Sequence, residues 1–233
     1  MTTVFGLKHP EVEATVLVAD RQTTSINPET KAPTGKLLGR KLWVSKDGNF
    51  CFGHAGNRDE QTLEFVDKLV SGKYDIEKIV SKGYFPELRK LNIKRVGNKF
   101  SDPQNFSGII IATRFGNIPS LYTCFPFGEV GKRVWTCAGS GDEKIEEYMN
   151  ALRILTEAKD YLGNHSKTGI EDVIRVGLEA VRRSQGQDLF SHGLDMMVCT
   201  SERINDHYED LGDDFGKKLQ KLQKRYRETP KTE

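Results

Sequence analysis

The sequence predicts an α+β fold in which two antiparallel sheets pack face to face with helices outside them. Three observations predict it. Strands, helices, strands, helices and a last strand follow one another in blocks, an order that two stacked sheets with outer helix layers accommodate. Two early strand pairs read as hairpins, which are antiparallel by construction. No repeat or low-complexity linker divides the 233 residues, a length that one domain with a substantial core can use.

Taken in order, Thr3 to Lys8 and Ala14 to Asp20 are strand-like runs joined by a turn containing Pro10. Residues 21–39, rich in Thr, Pro and Gly, read as a loop. Lys41 to Ser45 and Phe50 to Ala55 form a second hairpin across the turn Lys46-Asp47-Gly48-Asn49. A helix follows with Leu63, Val66, Leu69 and Val70 on one face. Helical sequence covers about 75–97, and Pro86, lacking an N–H, opens a new helix rather than sitting inside one. Strands come next near 107–114, 120–125 and 134–139. Ile145, Tyr148, Met149, Leu152 and Leu155 mark one amphipathic helix, and Ile170, Val173, Ile174, Leu178 and Val181 another. A strand at 195–201 closes the domain, taken as residues 1–202.

Residues 203–233 read as a charged helical extension. Asp206, Glu209, Asp210, Asp213 and Asp214 precede Lys217, Lys218, Lys221, Lys224, Arg225 and Arg227, the charge order that a helix dipole favours. Phe215, Leu219, Leu222 and Tyr226 supply an apolar stripe with which it would dock on its own subunit or a neighbour.

Hydrophobic residues at 36% and charged ones at 29% are a globular balance and exclude a disordered chain. Thirty-five basic against 33 acidic residues leave +2, so the totals argue for neither a nucleic-acid nor a membrane partner. Cys51, Cys124, Cys137 and Cys199 form no CxxC pair, and three lie in apolar runs; buried reduced thiols of a cytoplasmic protein are expected. The five histidines show no ligand spacing, so neither a metal nor another cofactor is called for. The N-terminus lacks a basic-then-apolar signal pattern, and the mature chain is expected to begin at the start of the sequence.

That start matters chemically. Methionine is removed ahead of small residues, which would leave Thr2 with a free α-amine beside its own hydroxyl. A hydroxyl is a weak nucleophile until a base takes its proton, and an N-terminal amine, with a pKa of about 7.7 to 8.0, can be that base.

The surrounding residues make this specific. Thr2-Thr3-Val4-Phe5-Gly6-Leu7-Lys8 followed by Val16-Leu17-Val18-Ala19-Asp20-Arg21-Gln22-Thr23-Thr24 resembles the start of a proteasome β-type subunit. Gly39-Arg40-Lys41-Leu42-Trp43 and Phe52-Gly53-His54-Ala55-Gly56-Asn57-Arg58-Asp59 resemble that family's lysine strand and Ala-Gly turn. Gly139-Ser140-Gly141 and Gln187-Asp188-Leu189-Phe190-Ser191-His192-Gly193 resemble its two later segments. The likeness runs from residue 2 to about 201. It implies a four-layer αββα sandwich of the N-terminal-nucleophile hydrolase type and a threonine peptidase acting on peptides or unfolded proteins. It also implies assembly into homo-oligomeric rings or stacks that an ATP-dependent unfoldase would feed. A start with only Met1 before the threonine is closer to stand-alone bacterial and archaeal homologues than to subunits with a propeptide.

By the same resemblance Thr2 supplies nucleophile and base, while Lys41 lies beside the hydroxyl and favours its ionisation. Asp20 pairs with Lys41, and the Gly56 N–H donates to the oxyanion. Ser140, Asp188 and Ser191 surround the amine, and Thr24 lines a channel for an extended peptide. Trp43, His54 and Arg58 fall near the pocket for the side chain before the scissile bond, where they would favour an acidic or polar group. The competing reading makes Trp43 core and Arg58 a helix cap. Two further functions use or discard the same residues: a peptide ligase in which an amine replaces water, and a non-catalytic scaffold whose threonine is never exposed.

Overall fold

Every side chain of the run Ala14–Asp20 is buried, which is what a central strand covered on both faces requires. A computed structural model describes residues 3–8, 12–26, 33–56, 58–96, 106–139, 141–157, 169–185 and 193–209. In it β1 (Thr3–Lys8) and β2 (Ala14–Asp20) form the predicted opening hairpin. Next come β3 (Gln22–Ile26) and β4 (Pro33–Leu38), then β5 (Leu42–Val44) and β6 (Phe50–Ala55), the second predicted hairpin. Three helices follow: α1 (Glu60–Val70), α2 (Ile76–Lys82) and α3 (Pro86–Val96), the last opened by Pro86 as expected. The chain continues through β7 (Gly108–Thr113), β8 (Ser120–Cys124), β9 (Val130–Arg133) and β10 (Trp135–Gly139). It then passes through α4 (Asp142–Glu157), α5 (Ile170–Gln185), β11 (Leu194–Thr200) and β12 (Ile204–Glu209).

The strands pair into two five-stranded antiparallel sheets, ordered β10-β1-β2-β11-β12 and β5-β6-β7-β8-β9, with β3-β4 as a separate ribbon. The fold is α+β, with five helices among the described residues. Three apolar clusters order the layers. Phe5, Val16, Val18 and Met196 of the first sheet pack on Ile145, Ile174, Leu178 and Val181 of α4 and α5. Phe50, Phe52, Ile109 and Ile111 of the second sheet pack on Phe65, Leu69, Ile79 and Leu88 of α1, α2 and α3. Val4, Leu17, Ala19, Leu42, Ile110, Leu121 and Met197 join the two sheets. Successive strand residues point to opposite faces, so β1, β2 and β11 each serve both the first and third clusters.

Four sequence expectations are corrected. Residues 22–38 are not simply a loop, because β-branched Thr23, Thr24 and Ile26 favour the strand that becomes β3. β9 escapes the sequence pattern because Val-Gly-Lys-Arg has no apolar alternation. On α1 the buried face is Thr62, Phe65, Val66 and Leu69, while Leu63 is exposed. That set follows the helical spacing i, i+3, i+4, i+7 more closely than the predicted one. Ile204–Glu209 is a strand paired with β11, so the first sheet extends past residue 202; the predicted helical stretch beyond it lies outside the described residues.

Gly53 sets how closely the sheets approach. It pairs with Leu42 and Ile110, and a Cβ there would overlap Val4 Cγ1 and come within 2.9 Å of Leu42 Cδ2. Val4 is stiff about χ1 and cannot swing away. Gly53→Ala is expected to lower unfolding stability by about 1–3 kcal/mol, measured by denaturant titration. Adding Val4→Ala should make the alanine at 53 less costly than it is alone; equal cost in both backgrounds would refute the overlap.

Candidate active site

Antiparallel pairing brings starts and ends of strands together at one end of the first sheet. β1 begins there with Thr3, β2 ends there with Asp20, β10 ends with Gly139 opposite Thr3, and β11 begins with Leu194 opposite Asp20. Lys41 leads into β5 of the second sheet, and its carbonyl accepts the His54 N–H at 3.0 Å. From this position its Nζ crosses to the first sheet.

Lys41 Nζ donates to Asp20 Oδ1 at 2.7 Å, and the Thr3 backbone N–H donates to the same oxygen at 2.6 Å. The two side chains are 2% and 1% exposed, so the pair is closed to solvent. Burial is the largest influence on Lys41 and draws its pKa below a lysine's ordinary 10.5; the adjacent Asp20 carboxylate pulls it back up. Arg58 adds to the lowering, and Asp195 opposes it.

Of the two consecutive threonines, Thr3 is unsuited to attack a substrate. Its N–H is committed to Asp20, and its hydroxyl is fully buried without a hydrogen-bond partner among the described residues. A Cβ at Gly141 would come within 2.5 Å of Thr3 Oγ1 and 2.8 Å of Ser184 Cβ, so glycine is required for this closure.

The other predicted residues divide into three groups. Gly56 follows β6 with φ +130°, and a Cβ there would overlap Phe106 O and lie 3.0 Å from Ser107 Cα; only glycine fits that turn. Thr24 stands in β3 opposite Lys36. Trp43 stacks on Phe52 with centroids 5.4 Å apart, and the Arg58 guanidinium lies 5.7 Å above the Trp43 ring while donating to Arg40 O. Thus Trp43 is partly core and also carries an arginine on its face. The cap of α1 is Asp59, which accepts from Thr62 N at 2.9 Å, so Arg58 does not cap. His54 is buried on β6. Thr2, Ser140, Asp188 and Ser191 lie outside the described residues. Gly139 and Gly141, which flank Ser140, both meet Thr3, and Gly193 O accepts from Arg21 N at 3.3 Å.

Sequence reasoning passed over Arg21 and Asp195, whose Nε and Oδ1 are 3.4 Å apart beside this pair. The available signal was a single acid in the otherwise apolar run Leu194–Cys199. The cysteines are buried at Cys51, Cys124 and Cys199 and half-buried at Cys137, all as free thiols. Burial pushes Cys137 and Cys199 up to about 12, far from reactive thiolates. Among the described residues no helix is long and apolar enough to cross a membrane.

Two stability outcomes follow. Asp20→Ala, which strands Lys41, should cost about 3–5 kcal/mol, whereas the joint change Asp20→Leu with Lys41→Met should cost less than Asp20→Ala alone; denaturant titration distinguishes them. The lowered pKa of Lys41 means that, between its folded value and 10.5, the unfolded chain binds more protons. Stability supplied by the lysine must then rise with pH across that interval. The stability difference, wild type minus Lys41→Met, should grow as pH rises toward 10.5; a flat difference would contradict the shift.

No protein-family model matches the chain, and comparison with curated proteins gives no match.

Proposed function

We propose that the protein is a proteasome-type N-terminal-nucleophile hydrolase, a threonine peptidase that cleaves peptides or unfolded chains through an acyl-enzyme on Thr2. One observation carries the reading: a single Asp20 oxygen holds both the Lys41 ammonium and the amide of Thr3, the residue joined directly to Thr2. Thr2 is next to Thr3 in sequence, so the charged pair is hydrogen-bonded to the immediate neighbour of the proposed nucleophile. The layer order, helices outside two stacked sheets, supports the N-terminal-nucleophile fold type without requiring it.

In this reading, loss of Met1 frees the Thr2 amine, which takes the proton of the Thr2 hydroxyl as that oxygen attacks the scissile carbonyl. Lys41 stays cationic and favours the ionised hydroxyl, while lowering the basicity of the amine toward neutral pH. The Gly56 N–H stabilises the oxyanion. The amine then gives its proton to the leaving peptide amine, and water, activated by the same amine, releases the acyl group. Ser140, Asp188 and Ser191 fix the amine and pass protons, Thr24 pairs with extended substrate, and Trp43, His54 and Arg58 receive the side chain before the cleaved bond. The same reading puts the enzyme in the cytoplasm, in a homo-oligomeric ring or stack served by an ATP-dependent unfoldase.

The test is the intact mass of the purified protein before and after treatment with a threonine-directed epoxyketone or β-lactone. A chain lacking methionine should gain one adduct, and Thr2→Ala should gain none. Lys41→Ala strands the buried Asp20 and should lose stability; its folded fraction, set by circular dichroism, should turn over peptide about 10²- to 10⁴-fold more slowly than wild type. A protein that keeps Met1 and takes no adduct would sink the enzyme reading.

A further inference from the structure

The strand β11 reads Leu-Asp-Met-Met-Val-Cys-Thr, apolar but for one acid near its start. Asp195 pairs with Ala19, and directly opposed residues share a face of the sheet. Ala19, Met197 and Cys199 belong to the apolar layer between the two sheets. Asp195 therefore projects toward that layer, with its side chain only 2% exposed. A carboxylate in such surroundings keeps its charge only with cations beside it.

Two cations are at hand. Arg21 Nε lies 3.4 Å from Asp195 Oδ1, with one end of its side chain toward solvent. Lys41 is the other: β5, which it leads into, packs against both β2 and β11, and Asp195 acts on its charge in the same sense as Asp20. Among the described residues, the charged groups acting on Lys41 include Asp20 on β2, Asp195 on β11 and, opposing them, Arg58 beyond β6. Lys41 and Arg21 thus match Asp20 and Asp195 in number, so each buried carboxylate has a cation beside it.

We propose that Asp195 is a positioning residue for Lys41, a second buried carboxylate that keeps the lysine cationic at the start of β1 and is itself fixed by Arg21. Its consequence for turnover rests on the hydrolase reading above; its physical core does not. A hydrolase that needs Lys41 charged loses rate at lower pH once Asp195 is neutralised.

The test is a double-mutant cycle in folding, using wild type, Asp195→Asn, Lys41→Met and the double variant in denaturant. A coupling factor of about tenfold in the folding constant is expected for charges in one network; additive effects would overturn the proposal. If Asp195→Asn does not fold, Arg21→Gln, on a side chain 32% exposed, replaces it in the cycle with the same two outcomes. In turnover, Asp195→Asn should move the alkaline limb of the kcat profile to lower pH with KM within about twofold, and Asp195→Glu should restore it. An unmoved limb would end the positioning role. An inactive wild type would instead sink the hydrolase reading and leave the folding cycle to decide Asp195.

Discussion

The contact on which the site depends is the shared oxygen of Asp20, which binds an ammonium from one sheet and a main-chain N–H from the other strand of its own hairpin. It is the polar crossing at the end of an otherwise apolar interface of Val4, Leu17, Leu42, Ile110 and Leu121. Taking both charges out of water costs several kcal/mol per ion, and an apolar pair of the same volume would stabilise the fold as well or better. Stability is thus a poor reason for Lys41 and Asp20 to be there. Placing a positive charge beside the start of β1 is a better one, and it is what the proposed hydrolase chemistry would use.

That crossing demands close sheets. Stacked sheets stand about 10 Å apart, and a lysine spans the gap only if little else fills it near its root. Gly53, one residue before the His54 that anchors the Lys41 carbonyl, removes the side chain that would push Val4 and Leu42 away. Gly141 does the same on the other side of β1, closing over the Thr3 hydroxyl. Thr3 is locked by these contacts, which is why the proposed hydrolase chemistry rests on Thr2 rather than on Thr3.

Much of this is legible in the residues. The hairpins announce themselves through Pro10 and Lys46-Asp47-Gly48-Asn49, and α4 and α5 through their apolar spacing. The pairing of Asp20 with Lys41 was expected only through the resemblance to proteasome β-type subunits, and the two side chains lie 2.7 Å apart. What was not legible depends on contacts distant in sequence. β9 has no pattern of its own and is a strand because Leu121 to Cys124 offer an edge to pair with. Trp43 looked like either core or pocket because it is both stacked on Phe52 and covered by Arg58. Asp195 is silent in sequence because only the register with Ala19 shows which way it faces.

The same register explains why one carboxylate would not serve. In the proposed hydrolase, a nucleophile with its own amine as base would need that amine neutral, and a nearby positive charge would keep it so. The lysine that provides the charge is under the opposite pressure, since burial drives it to shed its own proton. Asp20 relieves that pressure but is already bonded to the Thr3 N–H, and Arg58 works against it from beyond β6. A further negative charge on β11, compensated from its outer side by Arg21, lets the lysine remain an ammonium without lending net negative charge to the amine it must suppress. The electrostatic arrangement at this end of the sheet thus draws on Asp20, Arg21, Lys41, Arg58 and Asp195, side chains from separate segments that the pairing of the strands brings together.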